Sequence, residues 1–402
     1  MHFSTASLLL SLLTTAHALP SPSSFLGVDA ILRRYGVTSR SPEAYAAQMP
    51  ALANRHFKKP PPPPTSSRLV PKPDYRARTP FDWASIALAL HQEYIELDAF
   101  NYAITRFTPA QWEEWGINPG YVHLIRYFGQ QEEGHAAAFS NMLGPNTELP
   151  CNYSYPWANA TSASVPGFID WSQKSTQLGE SGTIGWIPLL ENPGPASIVQ
   201  QAIVTESRQQ FAFRQVEGLF PVTTWFKTGL TQPMHWTILS RWIPHCPKEN
   251  TPLPWQIFPR LRVDNEPDAI TAGRQAGGPS IAHNVTALTA PGRTVELSWD
   301  KPGYIQGPYH QRTQTNAEGP AKFVAWFGNL NVTYTPLENI DYHTLTATTK
   351  QPGVKIYPWS GQSVINGTSF VALVDRDVFV TPENLTLLND HIVAGPEFYQ
   401  AD

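Results

Sequence analysis

The residues able to do chemistry fall at helical spacing on otherwise apolar seams. Glu132 and His135 stand three apart in the series Tyr121, Ile125, Phe128, Glu132, His135, Phe139, Met142, which follows a 4-3-4-3 rhythm. A second series, Val199, Ala202, Glu206, Gln209, Phe213, Val216, Phe220, again places a carboxylate in its middle. A third runs Ile86, Leu90, Glu93, Leu97, Phe100, Ile104, with Glu96 close to the same face, one turn from Glu93. Ionisable side chains on a buried face are costly unless paired or bound to a metal. Several carboxylates with an imidazole suit divalent iron or manganese, because each carboxylate offsets cationic charge and the imidazole adds a terminal nitrogen ligand.

Such a set needs helices whose faces converge. In the ferritin-like four-helix bundle, two helices each give a Glu and two others each give a Glu-x-x-His step. The chain offers Glu93 or Glu96, then Glu132 with His135, then Glu206. Where a second His would complete the pattern stands Gln209, a poorer ligand for either metal; Glu180 or Glu191 is left for the remaining helix. The competing reading is a closed polar network, with Glu132 paired to Arg208 or Arg214 and His135 donating to Glu96 or Gln209. A mononuclear centre, a dinuclear centre and no metal all remain open at this level.

The elements follow from capping and breaking signals. Thr79-Pro80-Phe81-Asp82 starts a helix that runs to about Arg106. A second runs from about Gly120 to Leu143 and stops at Gly144-Pro145. The interval from Glu148 to Ser175 reads as irregular, with a weaker helical segment from Thr183 to Leu190. A long helix then spans about Ala196 to Leu219 and a short one Pro233 to Trp242. After Pro259 β-branched stretches at Thr294–Trp299, Phe323–Trp326, Leu330–Thr335 and Phe370–Val374 alternate with Gly and Pro turns. The fold class is therefore a mostly α bundle over 79–255, followed by a smaller all-β domain over 256–402. His310, His343 and His391 are scattered through that β part and mark no cluster.

The N-terminus reads as a secretory signal over residues 1–18, with the apolar run around Leu8–Leu13 and a small-x-small site at Ala16-His17-Ala18. Residues 19–78 form a leader with five prolines, Pro60 to Pro64, which favour polyproline II over packed structure. It is either a solvated linker or a propeptide removed at Lys58-Lys59, with a short helix around Pro42 to Ala53. Sequons at Asn152, Asn159, Asn284, Asn331, Asn366 and Asn384 fit a glycoprotein outside the cell. The two cysteines, Cys151 and Cys246, would pair in an oxidising compartment, two free thiols being the alternative. A net charge of -4 gives no reason to expect nucleic acid, and no later stretch is long and apolar enough for a membrane span.

Several blocks resemble the fungal stress-response proteins of the Rds type, related to late sexual development proteins. They are Gln92-Glu93-Tyr94-Ile95-Glu96-Leu97-Asp98, Gln131-Glu132-Glu133-Gly134-His135-Ala136, Trp171 to Gly185 with Gly179-Glu180-Ser181-Gly182, Thr205-Glu206-Ser207-Arg208-Gln209-Gln210, and Phe213 to Pro221. The resemblance covers about residues 75–265. It implies a ferritin-like bundle in a secreted or cell-surface protein, with metal positions at Glu93 or Glu96, Glu132, His135, Glu206 and a further candidate at Glu180. It also implies glutamine at position 209, a departure that weighs against iron storage and oxygen activation.

Two functions compete. One is an extracellular protein binding iron or manganese, with oxidase-type chemistry in a pocket lined by Phe128, Phe139 and Phe213. The other is a non-catalytic wall or surface protein whose β part and aromatics bind a cell-wall glycan or another protein. A secreted hydrolase is a third, lower reading: no Gly-x-Ser-x-Gly elbow and no His-Glu-x-x-His step occur, and only generic glycosidase-type carboxylate pairs are left for it.

Overall fold

A computed structural model describes residues 74–158, 163–267, 287–355 and 363–401. The signal segment, nearly all of the leader with its short helix and Lys58-Lys59, and the sequons at Asn159 and Asn284 lie outside the described residues.

Helix α1 (Pro80–Arg106) begins where the sequence places it: Thr79 Oγ1 accepts from Asp82 N at 3.1 Å, and proline stands in the first turn. The Asp82 carboxylate serves another helix, accepting from Glu191 N at 2.9 Å and Asn192 N at 3.0 Å just ahead of α5. A short α2 (Pro109–Glu114) follows, closed by a capping box between Thr108 and Gln111. Helix α3 (Pro119–Leu143) is capped by Asn118 and stops at Gly144, whose φ of 82° suits glycine.

Helix α4 (Val165–Trp186) departs from the sequence reading, which left Glu148 to Ser175 irregular and placed a helix at Thr183–Leu190. It is buried almost all round, with Ser172, Ser175, Thr176, Gly179 and Gly182 interleaved among Phe168, Ile169, Trp171, Leu178 and Trp186, so no single apolar stripe shows. The hydroxyls are satisfied locally: Ser172 donates to Phe168 O and Thr176 to Ser172 O, each at 2.8 Å. Gly179 sits in a tight place, since a Cβ there would lie 3.1 Å from Glu206 Oε2 and 3.2 Å from Gln92 Cγ. Helix α5 (Pro193–Glu217) runs from the Asn192 cap to Gly218 in the left-handed region. Helix α6 (Gln232–Leu239) completes the helical part. Helices α1 and α3 pack as one pair and α4 and α5 as another, and the pairs meet along the polar seams. Cys151 and Cys246 form a disulfide that joins the segment after α3 to the segment after α6.

The remainder is antiparallel. One four-stranded sheet has the order β1 (Leu261–Val263), β2 (Thr294–Trp299), β8 (Thr346–Lys350), β7 (Glu338–Asp341). The other has β10 (Ile392–Gln400), β9 (Thr368–Val374), β5 (Phe323–Gly328), β6 (Asn331–Pro336). A small hairpin pairs β3 (Ile305–Gln306) with β4 (Gln311–Arg312). Leu261, Leu297 and Trp299 of the first sheet share one core with Val324, Trp326, Val371 and Tyr399 of the second, as in a sandwich. Strand β10 escapes the sequence reading because Gly395-Pro396 interrupts it, and the register with β9 shifts there. The sandwich is bonded to the bundle: Arg214 donates to Thr368 Oγ1 at 2.9 Å, and Gln173 to Gln400 Oε1 at 3.1 Å.

Candidate metal centre

Each seam delivers its polar residue to the bundle core. Glu93 and Glu96 come from α1, Glu132 and His135 from α3, and Glu206 and Gln209 from α5; all are buried except His135, whose side chain is 14% exposed. His135 Nδ1 is the point of convergence. It lies 3.0 Å from Glu93 Oε2, 3.0 Å from Glu132 Oε2 and 3.9 Å from Glu206 Oε1. One ligand atom from each of these four residues falls within 4.8 Å of all the others.

The other ring nitrogen carries a proton. Thr205 Oγ1 donates to Ala202 O at 2.7 Å, so it accepts from His135 Nε2, 3.0 Å away. With Nε2 carrying a proton, Nδ1 is either a second N–H or a lone pair aimed at the carboxylates. The first gives an imidazolium; the second is the form that ligates a metal.

The remaining candidates stand elsewhere. Glu96 sits one turn beyond Glu93, its Oε1 accepting from Gln92 Nε2 at 3.0 Å. Gln92 in turn accepts from His235 Nε2 at 3.0 Å and donates to Ser175 O at 3.1 Å, which holds α1, α4 and α6 in register. Gln209 donates to Glu132 Oε1 and to Gln131 Oε1. Glu180 is not part of the cluster: it pairs with the Lys227 ammonium, which also donates to Gln177 and Gln210 at 2.7 Å each. The network alternative takes a different form from the one the sequence suggested. Arg214 turns to the sandwich, and His135 meets Glu93 instead of Glu96 or Gln209.

Electrostatics set the balance among the protein groups alone. Burial pushes Glu93 up to about 8, against the pull of His135. Burial, then the Glu132 and Glu93 charges, hold Glu96 well above the carboxylate range; burial, then Glu93, Glu96 and Glu132, do the same for Glu206. Glu132 is held below its ordinary value, because His135 and its hydrogen-bond partners more than offset burial. His135 is lowered by burial but raised further by Glu132 and Glu93, to about 12. A charge pair at 4 Å is worth about 4 kcal/mol at an effective dielectric of 20, so one imidazolium offsets about one carboxylate and leaves the others short.

The residues fit a divalent cation. Among the described residues Glu206 Oε2, Glu96 Oε2 and Gln209 Oε1 are buried without a hydrogen-bond partner, and every one is an oxygen able to face a cation. The aromatics Phe128, Phe139 and Phe213 are buried on the same seams, with the rings of Phe128 and Phe213 5.4 Å apart. Thr205, Gln92 and Lys227 escaped the sequence reading as site residues. Thr205 and Gln92 adjoin site carboxylates in the chain and were legible by that adjacency, whereas Lys227 lies in a loop with no periodic signal.

Of the described sequons, Asn152 and Asn331 are exposed. Asn366 and Asn384 are half-buried, and Asn366 Nδ2 donates to Thr223 O at 2.7 Å. Among the described residues no helix is long and apolar enough to cross a membrane.

Residues 82–219, which hold the whole centre, match the ferritin-like domain family. Over 340 residues the chain is 41% identical to Protein rds1 of Schizosaccharomyces pombe, covering 82% of this chain and 83% of that protein.

Proposed function

The chain belongs to the fungal Rds-type family of ferritin-like, stress-response-type proteins, and from that premise we propose that it is a secreted glycoprotein whose bundle binds divalent iron or manganese. The observation that carries the metal reading is the meeting of three buried carboxylates at one imidazole nitrogen. Glu93, Glu132, Glu206 and His135 would hold the cation, with Thr205 orienting the ring. When bound, the metal supplies Lewis-acid and one-electron chemistry toward oxygen or peroxide. The chain's own part is to neutralise the cation with carboxylates and to keep water from the seam with Phe128, Phe139 and Phe213. Secretion is supported by the signal-like first residues, by the sequons and by a disulfide, which persists in oxidising compartments.

The test is elemental analysis of the purified full chain beside a Glu132→Ala variant. Iron or manganese near stoichiometry, lost in the variant, is the expected result. A native chain that neither carries nor takes up either metal sinks the reading. For the compartment, the expected result is recovery from the culture medium with an apparent mass that drops after glycosidase treatment. Retention inside the cell at unmodified mass would refute it.

A further inference from the structure

We propose that the centre takes a single divalent cation, held by Glu93, Glu132, His135 and Glu206, and that Lys227 replaces a second cation by neutralising Glu180. This rests on the metal-binding reading above.

The geometry has one focus. All three carboxylates approach the same His135 Nδ1, so the ligand atoms enclose one point between them. A second ion would need its own set, drawn from α4 and the far side of α5. There the side chains are committed or missing. Helix α4 passes Glu206 at Gly179, which has no side chain to offer. The nearest α4 carboxylate, Glu180, is turned to the Lys227 ammonium. That ammonium also draws in the amide oxygens of Gln177 and Gln210, so a full cationic charge with three oxygen partners already sits between α4 and α5. Gln209, in the position of the missing second imidazole, presents its amide nitrogen to Glu132 and so occupies a carboxylate oxygen that a bridge would use.

The opposing observation is also on the seam. Glu96 Oε2, Glu206 Oε2 and Gln209 Oε1 have no partner among the described residues, and after an amide rotation they could face a second ion. The experiment therefore counts ions. Manganese(II) alone is titrated into the full chain by calorimetry, and bound metal is measured after desalting. The expected result is one ion per chain. In Glu180→Gln, which keeps the shape and still offers Lys227 an oxygen, one ion is expected with affinity within about threefold; loss of a true ligand or its support costs tenfold or more. Gln209→His leaves Gly179 and the Glu180–Lys227 pair in place and is expected to keep the count at one; a second ion in that variant would overturn the part assigned to Lys227. Two ions in the native chain, or more than about tenfold weaker binding in Glu180→Gln, overturns the proposal and leaves the metal reading standing. No ion at all in the native chain removes both. A melting curve for each variant separates lost binding from lost folding.

Discussion

Two buried carboxylate sites lie within one bundle and are neutralised in opposite ways. At Glu180 the chain supplies the cation itself, through Lys227, with two glutamine amides completing the shell. At Glu132 the chain gathers Glu93 and Glu206 around the same imidazole, and leaves several oxygens without a donor among the described residues. Taking a charge out of water costs several kcal/mol even after relaxation. The first site offsets part of that cost with its own ammonium, although burial still holds Glu180 above its ordinary value; the second offsets it only by protonating carboxylates or by drawing a cation from solution. The difference separates a structural ion pair from a binding site, although both read in sequence as a Glu on a helix.

The comparison breaks most readily at Glu132. Glu132→Ala removes the carboxylate that His135 and Gln209 both address. We expect manganese affinity to fall by more than about 100-fold, beyond the 10- to 100-fold cost of losing an outer partner. Saturating metal should stabilise the native chain by about 2.7 kcal/mol at 100 times its dissociation constant, and that increment should vanish in the variant. Calorimetry and metal-dependent melting measure the two. Retained affinity would mean that the convergence on His135 is not a metal site.

The next effect belongs to the other site. Lys227→Met leaves Glu180 buried without its counter-charge, for an expected loss of about 3 kcal/mol or more. Adding Glu180→Gln should recover most of it, because the uncompensated charge is then gone. Chemical denaturation of the two variants checks this. If Lys227→Met costs no stability, the ion pair does not hold α4, and the contrast between the sites loses one side.

These sites were unequally legible. Glu132, His135 and Glu206 show in the sequence because they interrupt apolar seams of strict period, and the helices that carry them end at caps with plain signatures, Asn118 and Gly144 or Asn192 and Gly218. Helix α4 stayed hidden because it is buried almost all round, with serine, threonine and glycine interleaved among its aromatic and aliphatic residues, so no apolar stripe stands out. With α4 hidden, Glu180 had no face, and its partner Lys227 sits in a loop whose placement only the tertiary structure fixes. The sandwich was visible as strands such as Thr294–Trp299, which the structure reproduces, but β10 was lost to Gly395-Pro396. Periodicity reports a contrast between an apolar and a polar face; a helix buried on nearly every side leaves no such contrast to find.

A pH series sets both sites against carboxyls that bury without any cation. Burial pushes Asp98 up to about 7 although Tyr155 donates to it, and pushes Glu148 up to about 7 although Thr251 N donates to it. Both bind protons more readily in the folded chain than in the unfolded one. Their stabilisation is complete below the unfolded values near 4 and is lost as pH rises through the folded values near 7. With metal withheld, the melting temperature should be higher at pH 5 than at pH 8, by several degrees for about 2 kcal/mol. Asp98→Asn should flatten the slope. A rising stability over that range would show that other groups dominate.

The smallest expected effect is the most specific to the centre. Thr205 touches none of the carboxylates, and acts only by accepting the His135 Nε2 proton while giving its own to Ala202 O. That arrangement keeps the ring proton on Nε2, so that Nδ1 is the nitrogen left to ligate a cation beside Glu93 and Glu132. Thr205→Val preserves the shape and removes the acceptor, so nothing holds the ring proton on Nε2 and the other tautomer turns its N–H into the site. The expected outcome is manganese affinity about tenfold weaker, or about 1.4 kcal/mol, the scale of losing one outer hydrogen bond to a metal-bound histidine. Melting of the metal-free variant should change little, since Thr205 is only half-buried. A purely structural threonine would give the reverse, lower stability with unchanged affinity. That outcome would place the choice of tautomer with the carboxylates and leave the Glu180 site unaffected, because Lys227 has no tautomer to select.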